Sequence, residues 1–256
     1  MTADDWFRRF TQVPPTAPLL VCFPHAGGAA SAYLALARAL DPDVEVLAVQ
    51  YPGRQDRRLE APVSRLTGLA EAVDAALDAR LGGADRHFAF FGHSMGASVA
   101  YETARLRAAA GRPGPAHLFL SGRGAPSTRP RPSDQLSTDA ELVAEVRRLG
   151  GTVGRVLDDP EMLEMVMPVL RADYTALRGY RWEPGPPLAA PFTVLVGDAD
   201  PVVPVADAAG WTEHSSAGGE VRTFPGGHFY LDAAAAGVAA VVRSALARSA
   251  AATAAR

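Results

Sequence analysis

The stretch Phe88-Ala89-Phe90-Phe91-Gly92-His93-Ser94-Met95-Gly96 decides how this chain is read. An apolar run enters a G-x-S-x-G turn, and a helical stretch follows. The five-residue pattern alone is weak. Its strand–turn–helix setting is the one that a nucleophilic serine on a sharp turn requires. Gly92 and Gly96 flank Ser94 because a Cβ does not fit where strand and helix approach so closely. The turn lifts the Ser94 hydroxyl above the sheet. It also puts the Met95 amide at a helix N-terminus, where the dipole favours developing negative charge.

Outward from this turn, apolar β-rich runs alternate with Ala/Leu-rich helical stretches, the pattern of a parallel sheet covered on both faces. The strands are expected at Leu19–Phe23, Val44–Val49, His87–Phe91, His117–Ser121, Phe192–Val196 and Glu220–Phe224. Helices are expected to start near Ala30, Leu66, Ser94 and Pro204, and a last one runs from Asp232 to about Arg248, followed by a frayed Ala-rich tail, Ser249–Arg256. Trp6 and Phe7 anchor an N-terminal segment. One interval, Gly122 to Leu188, has no convincing strand. It opens on Pro126, Pro130 and Pro132 and closes on Pro184, Pro186 and Pro187. Two or three helices lie between, one opened by a capping box at Thr138-Asp139-Ala140-Glu141 and one by Asp159-Pro160. The expectation is a single domain, 1–256, with a helical lid insertion at about 123–188 above the carboxyl ends of the strands, where open α/β sheets bind ligands.

A serine nucleophile needs a base, and the base needs an orienting group. Two later strand ends supply them. Phe192–Val196 ends in Gly197-Asp198-Ala199-Asp200-Pro201, and Val221–Phe224 ends in Pro225-Gly226-Gly227-His228. The order Ser94, acid, His228 is that of an α/β-hydrolase. Asp198 and Asp200 compete for the acid role. The spacing Gly-x-x-Asp-x-Val places Asp200 out on the loop and favours it, leaving Asp198 as a turn residue that bonds backbone amides. The loop Phe23-Pro24-His25-Ala26-Gly27-Gly28 stands where esterases place the second donor of an oxyanion hole. The Ala26 and Met95 amides are the expected pair.

Of the other histidines, His25 is expected to brace this loop and His93 to point inward. His214 is expected on the surface, and His87 and His117 show no acidic partner. Met162, Met165, Val166 and Val169 share a helical face, and with Met167 they either line an adaptable acyl-chain pocket or pack within the lid. Arg54, Arg57 and Arg58 either form a solvated loop or meet an anionic substrate arm at the site mouth.

Composition sets the outer limits. The 256 residues carry 25 basic and 28 acidic side chains, a net charge of −3. No basic stripe is visible, so nucleic acid is not an expected partner. There is no Lys, which excludes a Schiff-base lysine, a P-loop lysine and a Ser-Lys dyad. Ile and Asn are missing too, the codon bias of a GC-rich genome. The lone Cys22 rules out an intrachain disulfide and a Cys-based zinc site. It lies in an apolar run and is read as a buried hydrophobe. No run reaches the length of a bilayer span, and a cytoplasmic monomer without membrane contact is expected.

Five segments taken together resemble the type II thioesterases, editing enzymes of polyketide and non-ribosomal peptide synthesis. They are Phe23–Gly28, Tyr51-Pro52-Gly53-Arg54, Gly92-His93-Ser94-Met95-Gly96-Ala97, Gly197–Asp200 and Pro225-Gly226-Gly227-His228-Phe229. The resemblance runs from about Trp6 to Arg248. It implies hydrolysis of acyl groups from the phosphopantetheine arm of acyl or peptidyl carrier proteins, with Ser94 as nucleophile, His228 as general base and acid and Asp200 as its orienter. It implies no metal or organic cofactor, since the phosphopantetheine belongs to the substrate. Phe229 joins Met162 and Met165 as expected pocket residues. The competing readings are a medium-chain fatty-acyl thioesterase, an oxygen-ester esterase or lipase, and a non-catalytic α/β-hydrolase module that binds carriers.

Overall fold

In the computed structural model the described residues are 3–82, 87–128, 131–150 and 159–254. Seven strands form one sheet: β1 (Phe7–Arg9), β2 (Leu19–Phe23), β3 (Glu45–Val49), β4 (Phe88–His93), β5 (Leu118–Ser121), β6 (Phe192–Gly197) and β7 (Gly219–Phe224), in the spatial order β1-β3-β2-β4-β5-β6-β7. All neighbours are parallel except β1, which runs antiparallel to β3 with Phe7 opposite Val49. The strand order reverses beside β2 and β4, and Ser94 follows β4. Such a switch point opens a crevice at the carboxyl edge.

The central strands are apolar on both faces because both faces are covered. Leu19, Val21, Phe23 and Phe90 point into one core with α2 (Leu66–Leu81) and α3 (Met95–Ala109). Leu20, Cys22, Ala89 and Phe91 point into a second core with α1 (Leu34–Leu40) and the C-terminal helix. Cys22 is a buried free thiol, as expected. Between β5 and β6 the described residues hold no strand. They hold a 3-10 turn (Pro132–Gln135), α4 (Asp139–Leu149) and α5 (Pro160–Gly179). The Thr138–Glu141 capping box forms, and Asp159 caps α5 by accepting from the Glu161 and Met162 amides. Pro130 lies outside the described residues.

Four expectations change. Phe7–Arg9 is an edge strand, whereas the sequence suggested only an anchor. The helix near Ala30 starts as a 3-10 turn (Ala30–Tyr33) before α1. The helix near Pro204 is the short α6 (Val205–Ala209) followed by a 3-10 turn. The last helix, α7, spans Ala235–Ala254, because the Ala-rich tail has the highest helix propensity available and continues the helix. Among the described residues no helix is long and apolar enough to cross a membrane.

The tightest constraint lies where α3 passes β2. A Cβ on Gly96 would overlap the Phe23 carbonyl, and one on Gly92 would overlap the Gly96 carbonyl. Gly96→Ala is expected to destabilise the fold by about 3 kcal/mol or more, because backbone must move. Gly114→Ala, with nothing near the added methyl, is expected to stay within about 0.5 kcal/mol. Urea unfolding of the two variants checks this.

His117 is buried against β6 with Nε2 2.9 Å from the Thr193 hydroxyl, and burial, helped by the nearby Arg248, pushes its pKa down to about 4. The unfolded imidazole titrates near 6.5. Between about pH 6.5 and 4 the unfolded chain therefore binds the extra proton, so this contribution is intact above that window and is lost as pH falls through it. His117→Gln should remove up to ~1.4 kcal/mol per pH unit from the acid slope of stability. Urea titrations at pH 7 and pH 5 measure the difference.

Candidate active site

β4 delivers Ser94 into a conformation that L-residues rarely adopt, φ 55° and ψ −120°, and α3 begins at the next residue. Strain of this kind persists only where the surroundings enforce it. Here the Ser94 amide donates to the Ser121 carbonyl on β5 at 2.8 Å, and Gly92 and Gly96 allow the close approach.

The loop after β7 carries His228 to Ser94. The Ser94 hydroxyl donates to His228 Nε2 at 3.0 Å, and His228 Nδ1–H donates to Asp200 Oδ2 at 2.8 Å. The imidazole is only 3% exposed, and the carboxyl is fully buried. Burial pushes the Asp200 carboxyl up. The His228 hydrogen bond and charge, together with the Val202 and Val203 amides on Oδ1, outweigh that and hold it below the usual carboxylate value. Asp200 is thus kept as an anion facing the imidazole. Asp198 points elsewhere: its carboxylate accepts from the Gly226 amide at 2.9 Å and braces the loop that presents His228. This matches the expectation that separated the two acids.

Two further imidazoles surround the site. His25 Nδ1–H donates to the Ala26 carbonyl at 2.9 Å, bracing the loop as expected. Burial pushes its pKa down to about 4. His93 points inward. Its Nδ1 lies 2.8 Å from the Ser121 hydroxyl, which meets the Tyr230 hydroxyl at 2.6 Å. Burial, and then the neighbouring His228 and His25, push its pKa well down. Both rings stay neutral at pH 7, so neither competes with His228 for a proton. Among the described residues the Ala26 and Met95 amides show no hydrogen-bond acceptor, and Met95 directly follows Ser94.

A cavity of about 330 Å³ opens beside these rings. His25, His93 and Phe229 line it together with Met162, Met165, Val166 and Val169 of α5, and Arg54, Gln55 and Arg58 add polar lining. The methionine question divides accordingly. Met162 and Met165 line the cavity and stay partly exposed, while Met167 packs in the core.

The arginine loop after β3 is not solvated as a whole. Arg54 and Arg57 are buried, the first paired with Asp173 and the second with Glu60, and Arg58 alone is exposed on the cavity rim. His214 is also buried, between Tyr101 and Ser127, with its ring packed against Trp182 and Trp211. Local polarity misplaced Arg54 and His214, because their partners lie far off in sequence. Asp173 escaped the sequence reading altogether. Its signal was a lone acid four residues beyond Val169 on the apolar face of α5.

The likeness to known proteins covers nearly the whole chain. A family model described as "Thioesterase domain" matches residues 18–247. Thioesterase PikA5 of Streptomyces venezuelae is 45% identical over 227 residues, which cover 89% of this chain and 80% of that protein. Among solved structures, the type II thioesterase BorB from the borrelidin biosynthetic cluster matches with a TM-score of 0.86 at 43% identity, covering 96% of this chain and 99% of BorB. The RedJ thioesterase from the prodiginine pathway of Streptomyces coelicolor matches with a TM-score of 0.80 at 38% identity, covering 90% of this chain and 88% of RedJ. The parallel sheet with its strained serine turn is the α/β-hydrolase fold that these relatives share, and the chain belongs to the thioesterase family.

Proposed function

We propose that this thioesterase is an editing enzyme that hydrolyses acyl groups from the phosphopantetheine arm of acyl or peptidyl carrier domains in polyketide or non-ribosomal peptide synthesis. The hydrogen-bonded row Ser94–His228–Asp200 carries the chemical part of this reading. Similarity to PikA5, BorB and RedJ supports the biosynthetic part.

In this mechanism His228 Nε2 takes the Ser94 proton as Oγ attacks the thioester carbonyl. The Ala26 and Met95 amides receive the developing oxyanion, each such donor being worth about 10²–10³ in rate. Collapse breaks the C–S bond, and His228 hands its proton to the departing pantetheine thiolate. A water then loses a proton to His228 and attacks the acyl-enzyme. Collapse of that second intermediate returns the proton to Ser94 and frees the carboxylic acid. Asp200 keeps Nδ1 protonated and stabilises the imidazolium in both halves. Nucleophile, proton carrier and oxyanion donors all come from the chain, so the cycle calls for no metal or organic cofactor. The apolar α5 residues that line the cavity with His25 and Phe229 suit the acyl chain, with Met162 and Met165 as adaptable contacts.

Ser94→Ala is expected to lower kcat by about 10⁶. Asp200→Asn should cost about 10⁴ through the wrong His228 tautomer. Asp198→Asn, which keeps an oxygen for the Gly226 amide, should cost less than about tenfold. Steady-state kinetics of the three variants read this, and a reversal of the two aspartate effects would move the acid role to Asp198. The substrate class is tested by intact-protein mass spectrometry of a carrier loaded with acetyl or propionyl phosphopantetheine. Wild type should remove only the acyl mass, and Ser94→Ala should leave it in place. An untouched acyl carrier alongside a cleaved p-nitrophenyl ester would replace this reading with an oxygen-ester esterase. Inertness toward both would leave a binding module.

A further inference from the structure

Helix α5 reaches past the cavity and grips the loop that carries Ala26. Met162, Met165, Val166 and Val169 face the cavity, and Asp173 continues the same helical face one turn on. Asp173 is fully buried. Its Oδ2 accepts the Gly27 amide at 2.8 Å and also pairs with the Arg54 guanidinium. Arg54 in turn donates through Nε to the Gly28 carbonyl at 3.3 Å and through Nη1 to the Pro52 carbonyl at 2.8 Å. Val169 packs beside Gly53, where an added Cβ would lie 3.3 Å from its side chain. The insertion therefore holds two loops of the sheet edge through one buried oxygen.

The consequence falls on one peptide group. The carbonyl of the Ala26–Gly27 peptide accepts from His25 Nδ1–H, and its N–H donates to Asp173. Held at both ends, this plane anchors the Ala26 Cα and so restrains the adjoining His25–Ala26 peptide, which carries the Ala26 N–H. Among the described residues, Asp173 Oδ1 and the Tyr51 hydroxyl are both buried without a hydrogen-bond partner. The carboxylate thus has no second set of bonds to hold it if the Gly27 and Arg54 contacts are lost.

We propose that Asp173 is a positioning residue through which α5 sets the Ala26 amide, so that an acyl chain packed against α5 and the stabilisation of the oxyanion are coupled. The proposal rests on the roles given above to Ser94 and Ala26. It predicts that the part of the enzyme that contacts the acyl chain also tunes the rate of the chemical step.

The test compares wild type, Asp173→Asn and the double variant Asp173→Asn with Arg54→Gln. The double variant leaves no unpaired buried charge and serves where the single variant fails to fold. Circular dichroism and thermal melting establish the folded fraction of each. Two readouts follow. The first is the rate of Ser94 labelling by a fluorophosphonate, whose phosphonyl oxygen enters the same hole and which needs no thioester. The second is kcat and KM for acetyl, butyryl and hexanoyl thioesters of N-acetylcysteamine. The expected result is a 10- to 100-fold fall in both labelling rate and kcat, with KM within about threefold, below the ceiling set by losing one oxyanion donor outright. The spread of kcat among the three acyl chains should also shrink in the variants. An unchanged labelling rate at full folded fraction, or losses that track the unfolded fraction, would overturn the proposal. An unchanged chain-length profile would do the same. Should wild type leave acyl carriers intact while fluorophosphonate labelling still depends on Asp173, the carrier reading fails and the positioning role stands.

Discussion

The passage of α3 beneath the carboxyl end of β2 is the constraint on which the rest of the site depends. The two backbones touch where Gly96 meets Phe23, and that contact brings the Ser94 turn and the Phe23–Gly28 loop side by side. Phe23 also accepts from the Tyr33 hydroxyl at 2.6 Å, which ties the segment after that loop to the same residue. Ser94 holds a strained conformation because β5 bonds its amide on one side and α3 starts immediately on the other. The geometry around Ser94 follows from backbone proximity first. The side chains of His228 and Asp200 then arrive on loops from strands already in register.

Around this contact the buried polar groups are sorted by charge. Asp200 is held as an anion, and His25 and His93 are held neutral by burial. Ser121 and Tyr230 hold the Nδ1 side of His93 without adding charge. His228 is then the one imidazole of the three with an acidic partner, so the developing positive charge has one place to settle. The other nearby acids are held elsewhere: Asp198 accepts from the Gly226 amide, and Asp173 from the Gly27 amide and Arg54.

Much of this was legible in the sequence, and for a physical reason. Strands buried on both faces read as unbroken apolar runs, so β2 to β6 and the motif at each strand end stood out. The edge strand Phe7–Arg9 did not, because three residues with two arginines carry no period, and pairing with β3 alone makes them a strand. The Ala-rich end of α7 looked like a loose tail because no apolar stripe demanded a helix there, although propensity alone extends it. Arg54 and His214 were hidden differently. Arg54 finds Asp173 a hundred and nineteen residues away, and His214 finds Tyr101 at a similar remove. Local polarity reports solvent as the default partner for such groups. Only the folded chain shows that they have another.

The burial of Cys22 takes on a different meaning beside a site built for thioesters. Activated acyl groups transfer spontaneously to exposed amines and thiols, and a protein that meets them constantly would gather such adducts. This chain has no lysine side chain to receive one, and its single thiol is buried in the core that α1 and α7 cover. Among side chains, the two kinds that acylate most readily, amine and thiol, are thus absent or out of reach.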